Sequence, residues 1–214
     1  MRPALALRRA LGKPHLRVMA VDDGPFSRRQ RWAPVALVAV SSPDYVEAVG
    51  VGRVRVDGVD GTSAVASLAD GCPQRASVRV LLVDGVVLGG FNVLDLSRLS
   101  RLTGMSVISL TRRRPDFPAM RAALVKYFPR DSARRWRLLR AHRLFRVPTS
   151  GHPIYAAAVG CYRADALEVV RRTTLRGFWP EPLRLARLVA RAASAASGRP
   201  AAAAAGTLRA RGAV

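Results

Sequence analysis

Two aspartates stand where short apolar runs stop. Asp22 follows the run at residues 16–21, and Asp84 follows Val80-Leu81-Leu82-Val83. A carboxylate at the end of a buried strand has little to gain unless something pairs with it. Two such carboxylates suit Mg²⁺ or Mn²⁺: a hard cation takes oxygen ligands, often only one or two carboxylates, and keeps waters that face phosphate. The chemistry that follows is phosphodiester cleavage, with an activated water and a stabilised leaving oxygen. Asp84-Gly85 is also a common turn dipeptide. Asp57 and Asp60 fit turn and helix-cap positions, and Asp60 is in addition a third metal carboxylate if it approaches the same sheet end. Gly85, Gly89 and Gly90, followed by Asn92, form a loop that lets backbone pass close to a ligand. Arg112-Arg113-Arg114 follows another apolar run and suits phosphate, with a solvated loop in an Arg-rich chain as the plain alternative.

The elements that must position these groups follow from periodicity. Apolar runs at residues 15–22, 34–41, 45–56, 78–83, 105–110 and 154–159 read as strands. The first three are linked by Gly24-Pro25 and by Ser42-Pro43-Asp44, and together make an antiparallel meander. Successive strand residues face opposite sides, so Asp22 and Asp23 point apart. Helices are expected at about 60–70, 93–102, 116–127, 132–142, 164–173 and 183–193, with Asp95 as a cap and Gly104 as a stop. A meander followed by strands alternating with helices gives an α/β fold: an RNase H-like mixed sheet, antiparallel and then parallel, flanked by helices. Residues 1–14 read as a basic disordered arm, 15–193 as a single domain, and 194–214 as an Ala/Arg-rich disordered tail.

Bulk composition narrows the partner. The 214 residues carry 36 Lys+Arg against 14 Asp+Glu, a formal charge of +22. Such a surplus favours a polyanion, nucleic acid (DNA or RNA) first, although GC-rich coding also raises Arg. Cys72 and Cys161 lack metal-ligand spacing and fit a reducing, cytoplasmic setting. No apolar run is long enough to span a membrane. His15, His142 and His152 are scattered, and there is no phosphate-binding loop, dinucleotide fingerprint or nucleophile elbow. Oligomeric state is not legible.

Four separated segments resemble the family called domain of unknown function 99: VMAVDDGPF (18–26), VLLVDGVVLGGFN (80–92), GMSVISLTRRRPD (104–116) and RRTTLRGFWPEPLRLARLVA (171–190). That family is similar to endonuclease V, a metal-dependent nuclease of RNase H-like fold that acts at inosine or deaminated bases. The resemblance implies metal-binding, catalytic roles for Asp22 and Asp84, with Mg²⁺ or Mn²⁺ as cofactor. It implies that Arg112 takes the place of a lysine after a similar strand, and that Arg176, Glu181 and Arg184 belong to an RLPEPTR-like segment. Gly89, Gly90, Asn92, Arg112, Arg113, Arg176, Glu181 and Arg184 are the expected substrate contacts. There are three departures. No glutamate lies in residues 62–70, where endonuclease V carries a catalytic one. RVRVDGVDG replaces its aromatic-proline wedge, and GGFN replaces a histidine-containing loop. The expectation is an endonuclease V-like nucleic-acid-binding protein with possible metal-dependent endonuclease activity. The alternatives are a non-catalytic nucleic-acid-binding module and a small-molecule phosphohydrolase.

Overall fold

The computed structural model describes residues 3–197. Nine strands are described: β1 (Arg17–Asp23), β2 (Trp32–Ser41), β3 (Tyr45–Arg55), β4 (Val80–Asp84), β5 (Val87–Leu88), β6 (Asn92–Val93), β7 (Ser106–Thr111), β8 (Phe145–Val147) and β9 (Ile154–Val159). Seven form one sheet in the order β3-β2-β1-β4-β7-β9-β8, while β5 and β6 make a separate two-stranded hairpin. The meander β1-β2-β3 is antiparallel, β1, β4 and β7 run parallel, and β9 and β8 return antiparallel. The expected mixed sheet is therefore present. The hairpin β5-β6 and the strand β8 were not expected. Runs of two or three residues carry too little periodicity to announce themselves.

The helices are α1 (Pro3–Leu11), α2 (Gly61–Asp70), α3 (Leu96–Thr103), α4 (Phe117–Tyr127), α5 (Ser132–Arg140), α6 (Arg163–Thr173) and α7 (Glu181–Ser197). Alternation along β1 sends Met19 and Val21 into a core shared with Val65 of α2 and Leu96 and Leu99 of α3. Val18 and Ala20 face the opposite core, shared with Leu7 of α1, Val169 of α6 and Leu183 of α7. Helices thus cover both faces of the sheet. A third, smaller cluster joins Val93 to Leu124 of α4 and Leu139 of α5.

Local signals explain several boundaries. Asp95 accepts a hydrogen bond from the Arg98 amide and starts α3, and Gly104 ends that helix in the left-handed region (φ 64°). Asp116 accepts from Ala119 N and caps α4. Asp60 occupies the N-cap position of α2 but makes no capping bond. The start of the chain corrects the reading as a disordered arm. Residues 3–11 form a helix whose Leu7 is fully buried, and Arg8 pairs with Asp165 at 3.3 Å and stacks over Tyr162. Nine residues do not hold a helix alone; burial against α6 does. At the other end α7 continues through residues 194–197 of the expected tail, and 198–214 lie outside the described residues.

Candidate active site

The sheet brings the two aspartates together. In the parallel pair β1/β4, Val21 stands level with Val83, so the next residues, Asp22 and Asp84, emerge side by side at the carboxyl ends of neighbouring strands. Open sheets bind ligands at this edge. A cavity of about 410 Å³ opens there, lined by Asp22, Asp84, Gly90, Arg112, Arg187 and Arg191 together with Asp23 and the Gly24-Pro25-Phe26 turn.

Asp22 is buried, with 5 % of its surface exposed. Its Oδ1 accepts from the Asp23 amide at 2.8 Å, while its Oδ2 is buried and unpartnered. Burial, followed by the nearby charges of Asp84 and Asp23, raises its pKa from 3.8 to about 8. Asp23 also lines the cavity, and its carboxylate accepts from Gly89 N at 2.7 Å; burial raises its pKa as well. Asp84 pairs with Arg112 at 3.1 Å and lies 3.9 Å from Arg187. The Arg112 guanidinium is stacked 3.8 Å from the centroid of the Trp179 ring. It is thus held between a carboxylate and an indole.

An orphaned carboxylate oxygen beside a second carboxylate fits a divalent cation. Among the described residues no group of three or more His, Cys, Asp or Glu is arranged to hold a metal. Two carboxylates, completed by water and substrate oxygens, are therefore the donor set on offer. Asp60, expected as a third ligand, is not brought to the cavity. Its carboxylate accepts from the Arg55 amide at 3.2 Å and from Asn92 Nδ2 at 2.7 Å.

The GGFN loop is built differently from the expectation. Asn92 is fully buried; it accepts from Gly61 N at 2.9 Å and donates to Arg55 O at 3.0 Å. Its side chain is held inside the fold and does not face the cavity. Gly89 N is engaged by Asp23, and Phe91 N by the Asp57 carboxylate at 2.7 Å, so neither amide is free to cradle a phosphate. Gly90 (φ 90°) does reach the cavity wall, and a Cβ there would collide with Asp57 Oδ1. From α5, the buried Arg135 donates to the carbonyls of Asp57, Gly58 and Phe91. That guanidinium locks the loop to the turn after β3.

Of the remaining expected contacts, Arg113 is exposed beside the cavity-lining Arg112. Glu181 and Arg184 pair with each other at 2.5 Å at the start of α7, and Arg176 acts electrostatically on Glu181. These three form their own cluster. Arg187 and Arg191 were missed. Their signal was present: Arg184, Arg187 and Arg191 recur at helical spacing. Gly24 explains their approach. A Cβ at Gly24 would strike the Ala190 carbonyl and Ser194 Oγ, so glycine lets α7 lie against the turn after β1.

The profile of the family described as endonuclease dU matches residues 14–194. A UPF0215 protein of Thermococcus gammatolerans is 41 % identical over 185 residues, covering 84 % of this chain and 93 % of that one. Another, from Methanothermobacter thermautotrophicus, is 38 % identical over 181 residues, 83 % of this chain and 87 % of its own. The chain belongs to the endonuclease dU family. Among solved structures, this family member is similar to a protein of unknown function from Archaeoglobus fulgidus (TM-score 0.75, 27 % identity, 83 % of this chain and 98 % of that chain). It also shares its fold with endonuclease V from Ciona intestinalis, solved with a 24mer DNA containing an inosine followed by a ribo-adenosine (TM-score 0.60, 15 % identity, 92 % of this chain and 95 % of that chain). Human endonuclease V gives a TM-score of 0.59 at 16 % identity, over 91 % of this chain and 90 % of that chain. The endonuclease V-like resemblance and the RNase H-like fold hold. Family and fold together support a nucleic-acid endonuclease-like function. Among the described residues no helix is long and apolar enough to cross a membrane.

Proposed function

We propose that this endonuclease dU family member cleaves phosphodiester bonds with a divalent cation, Mg²⁺ or Mn²⁺, held by Asp22 and Asp84. The observation that carries the reading is the strand register. Two carboxylates from chain segments far apart in sequence share one cavity with three guanidiniums. When bound, the cation supplies Lewis-acid charge at the phosphate and a more acidic water. Asp22 offers a buried, unpartnered oxygen to it. Arg112, fixed by Asp84 and Trp179, presents a planar fork suited to phosphate, and Arg187 and Arg191 add positive charge from α7. Asp23 and Arg135 act at one remove, by holding the GGFN loop in place. The family's description makes deoxyuridine in DNA the first substrate to test, and inosine-containing DNA the second.

One observation favours a second reading, a non-catalytic nucleic-acid-binding module. Arg112 and Arg187 both reach towards Asp84, so guanidiniums already neutralise the carboxylate that a metal would use. Cleavage assays on deoxyuridine- and inosine-containing DNA and RNA, with Mg²⁺, Mn²⁺ or EDTA, separate the two. The nuclease reading expects metal-dependent cuts that fall at least about 100-fold in Asp84→Asn, while binding in EDTA persists. Binding without cleavage on every substrate and metal overturns it in favour of the module.

A further inference from the structure

We infer that the α4–α5 hairpin carries a second nucleic-acid site, where an unstacked base of a single strand lies in a cation-framed hollow against Trp136. The inference rests on the reading of the chain as acting on nucleic acid. The hollow, about 730 Å³, is lined by Phe117, Pro118, Ala122, Val125 and Trp136, with cations at its rim; its size falls in the usual range for small-ligand pockets. Phe117 meets the Trp136 ring edge-on at 6.1 Å. The Arg140 guanidinium lies over both rings, 4.8 Å from Phe117 and 5.7 Å from Trp136, and Arg121 lies 5.7 Å from Trp136. No carboxylate lines the hollow.

Its chemistry selects the occupant. Residues 117–143 hold eight Arg and Lys and one acid, Asp131, and that acid already pairs with Arg134 and Arg135. An apolar protein partner would have to strip water from the rim guanidiniums. A second copy of the same hairpin would bring like charges together. A single strand offers phosphates to the cations and a base to the ring faces. The placement also suits a strand that passes the active site. Helix α4 begins five residues after Arg112. Its last residue, Tyr127, lies 6.0 Å from the Arg28 guanidinium, and Arg28 follows the Gly24–Phe26 turn that lines the catalytic cavity.

Anisotropy titration of a short fluorescein-labelled oligodeoxynucleotide, in EDTA and over a range of salt, tests the site. Trp136→Ala is expected to weaken binding about tenfold, the lower range of base–aromatic stacking. Arg140→Gln, at an exposed position and with its fold checked by circular dichroism, is expected to flatten the log–log salt slope by about 0.7. Wild-type binding by both variants, with Arg112→Gln impaired, overturns the second site and leaves the nuclease reading standing. No binding of any strand by wild type overturns both. Poly-glutamate that binds as tightly as the oligonucleotide, and loses as much affinity in Trp136→Ala, shows that the hollow takes acidic polymers at large and overturns base recognition.

Discussion

Asp22 is where burial, charge and chemistry meet. Its raised pKa means that the folded chain keeps a proton that the unfolded chain releases, so the linkage has a definite sign. The stability this group contributes is fully present below its ordinary value of 3.8 and is lost as pH rises through about 8. In EDTA, denaturant unfolding of wild type should show declining stability between pH 5 and 8.5. Asp22→Asn should reduce that decline, leaving the smaller part that the raised pKa of Asp23 contributes, and be more stable by about 1 kcal/mol at the alkaline end, the usual signature of strain kept at a functional site. Parallel pH curves for the two proteins would show that Asp22 is not strained. The pairing of Asp22 with Asp84 was legible from two apolar runs that each end in an aspartate. The roles of Asp60 and Asn92 were not, because a polar residue near a glycine-rich loop reads the same whether it faces a ligand or braces the backbone. Only the partners Arg55, Gly61 and each other assign them inward.

Elements show what periodicity carries and what it does not. The six longer strands of the sheet, β1, β2, β3, β4, β7 and β9, and the capped helices α3 and α4 have both pattern and punctuation, and were readable. Helix α1 is short and lies in a basic stretch, so its apolar Ala and Leu positions gave no clear signal, and Leu7 becomes a core residue with partners that include Val169 of α6 and Leu183 of α7, more than 150 residues away in sequence. Leu7→Ala should therefore cost about 2–5 kcal/mol in chemical denaturation; a cost near zero would return residues 1–14 to the status of a loose arm. The approach of α7 was equally invisible, since it depends on the missing side chain of Gly24. Gly24→Ala should destabilise by about 1–3 kcal/mol. Removing Ser194 Oγ by Ser194→Ala should not rescue it, because the Ala190 carbonyl remains in the way. Full rescue would mean that the close approach is a matter of one rotamer.

At the scale of the molecule, a site split between β1 and β4 exists only when the sheet is formed. Any cation held there is linked to folding of the entire domain. The charge of +22 has a matching logic. Three arginines line one cavity with Asp22, Asp23 and Asp84, and the surplus around them suits a polyanion that brings its own phosphates to the site. Composition favours such a partner, though it could not distinguish cavity-lining arginines from solvated ones. That distinction belongs to topology. The central claim is that Asp22 and Asp84 form one divalent-cation site, and calorimetric titration of Mn²⁺ into wild type and Asp84→Asn tests it most directly. Saturable binding in wild type that disappears in the variant, with the variant's fold intact by circular dichroism, is the predicted result. Equal heats from both proteins, or none from wild type with or without bound oligonucleotide, would contradict it.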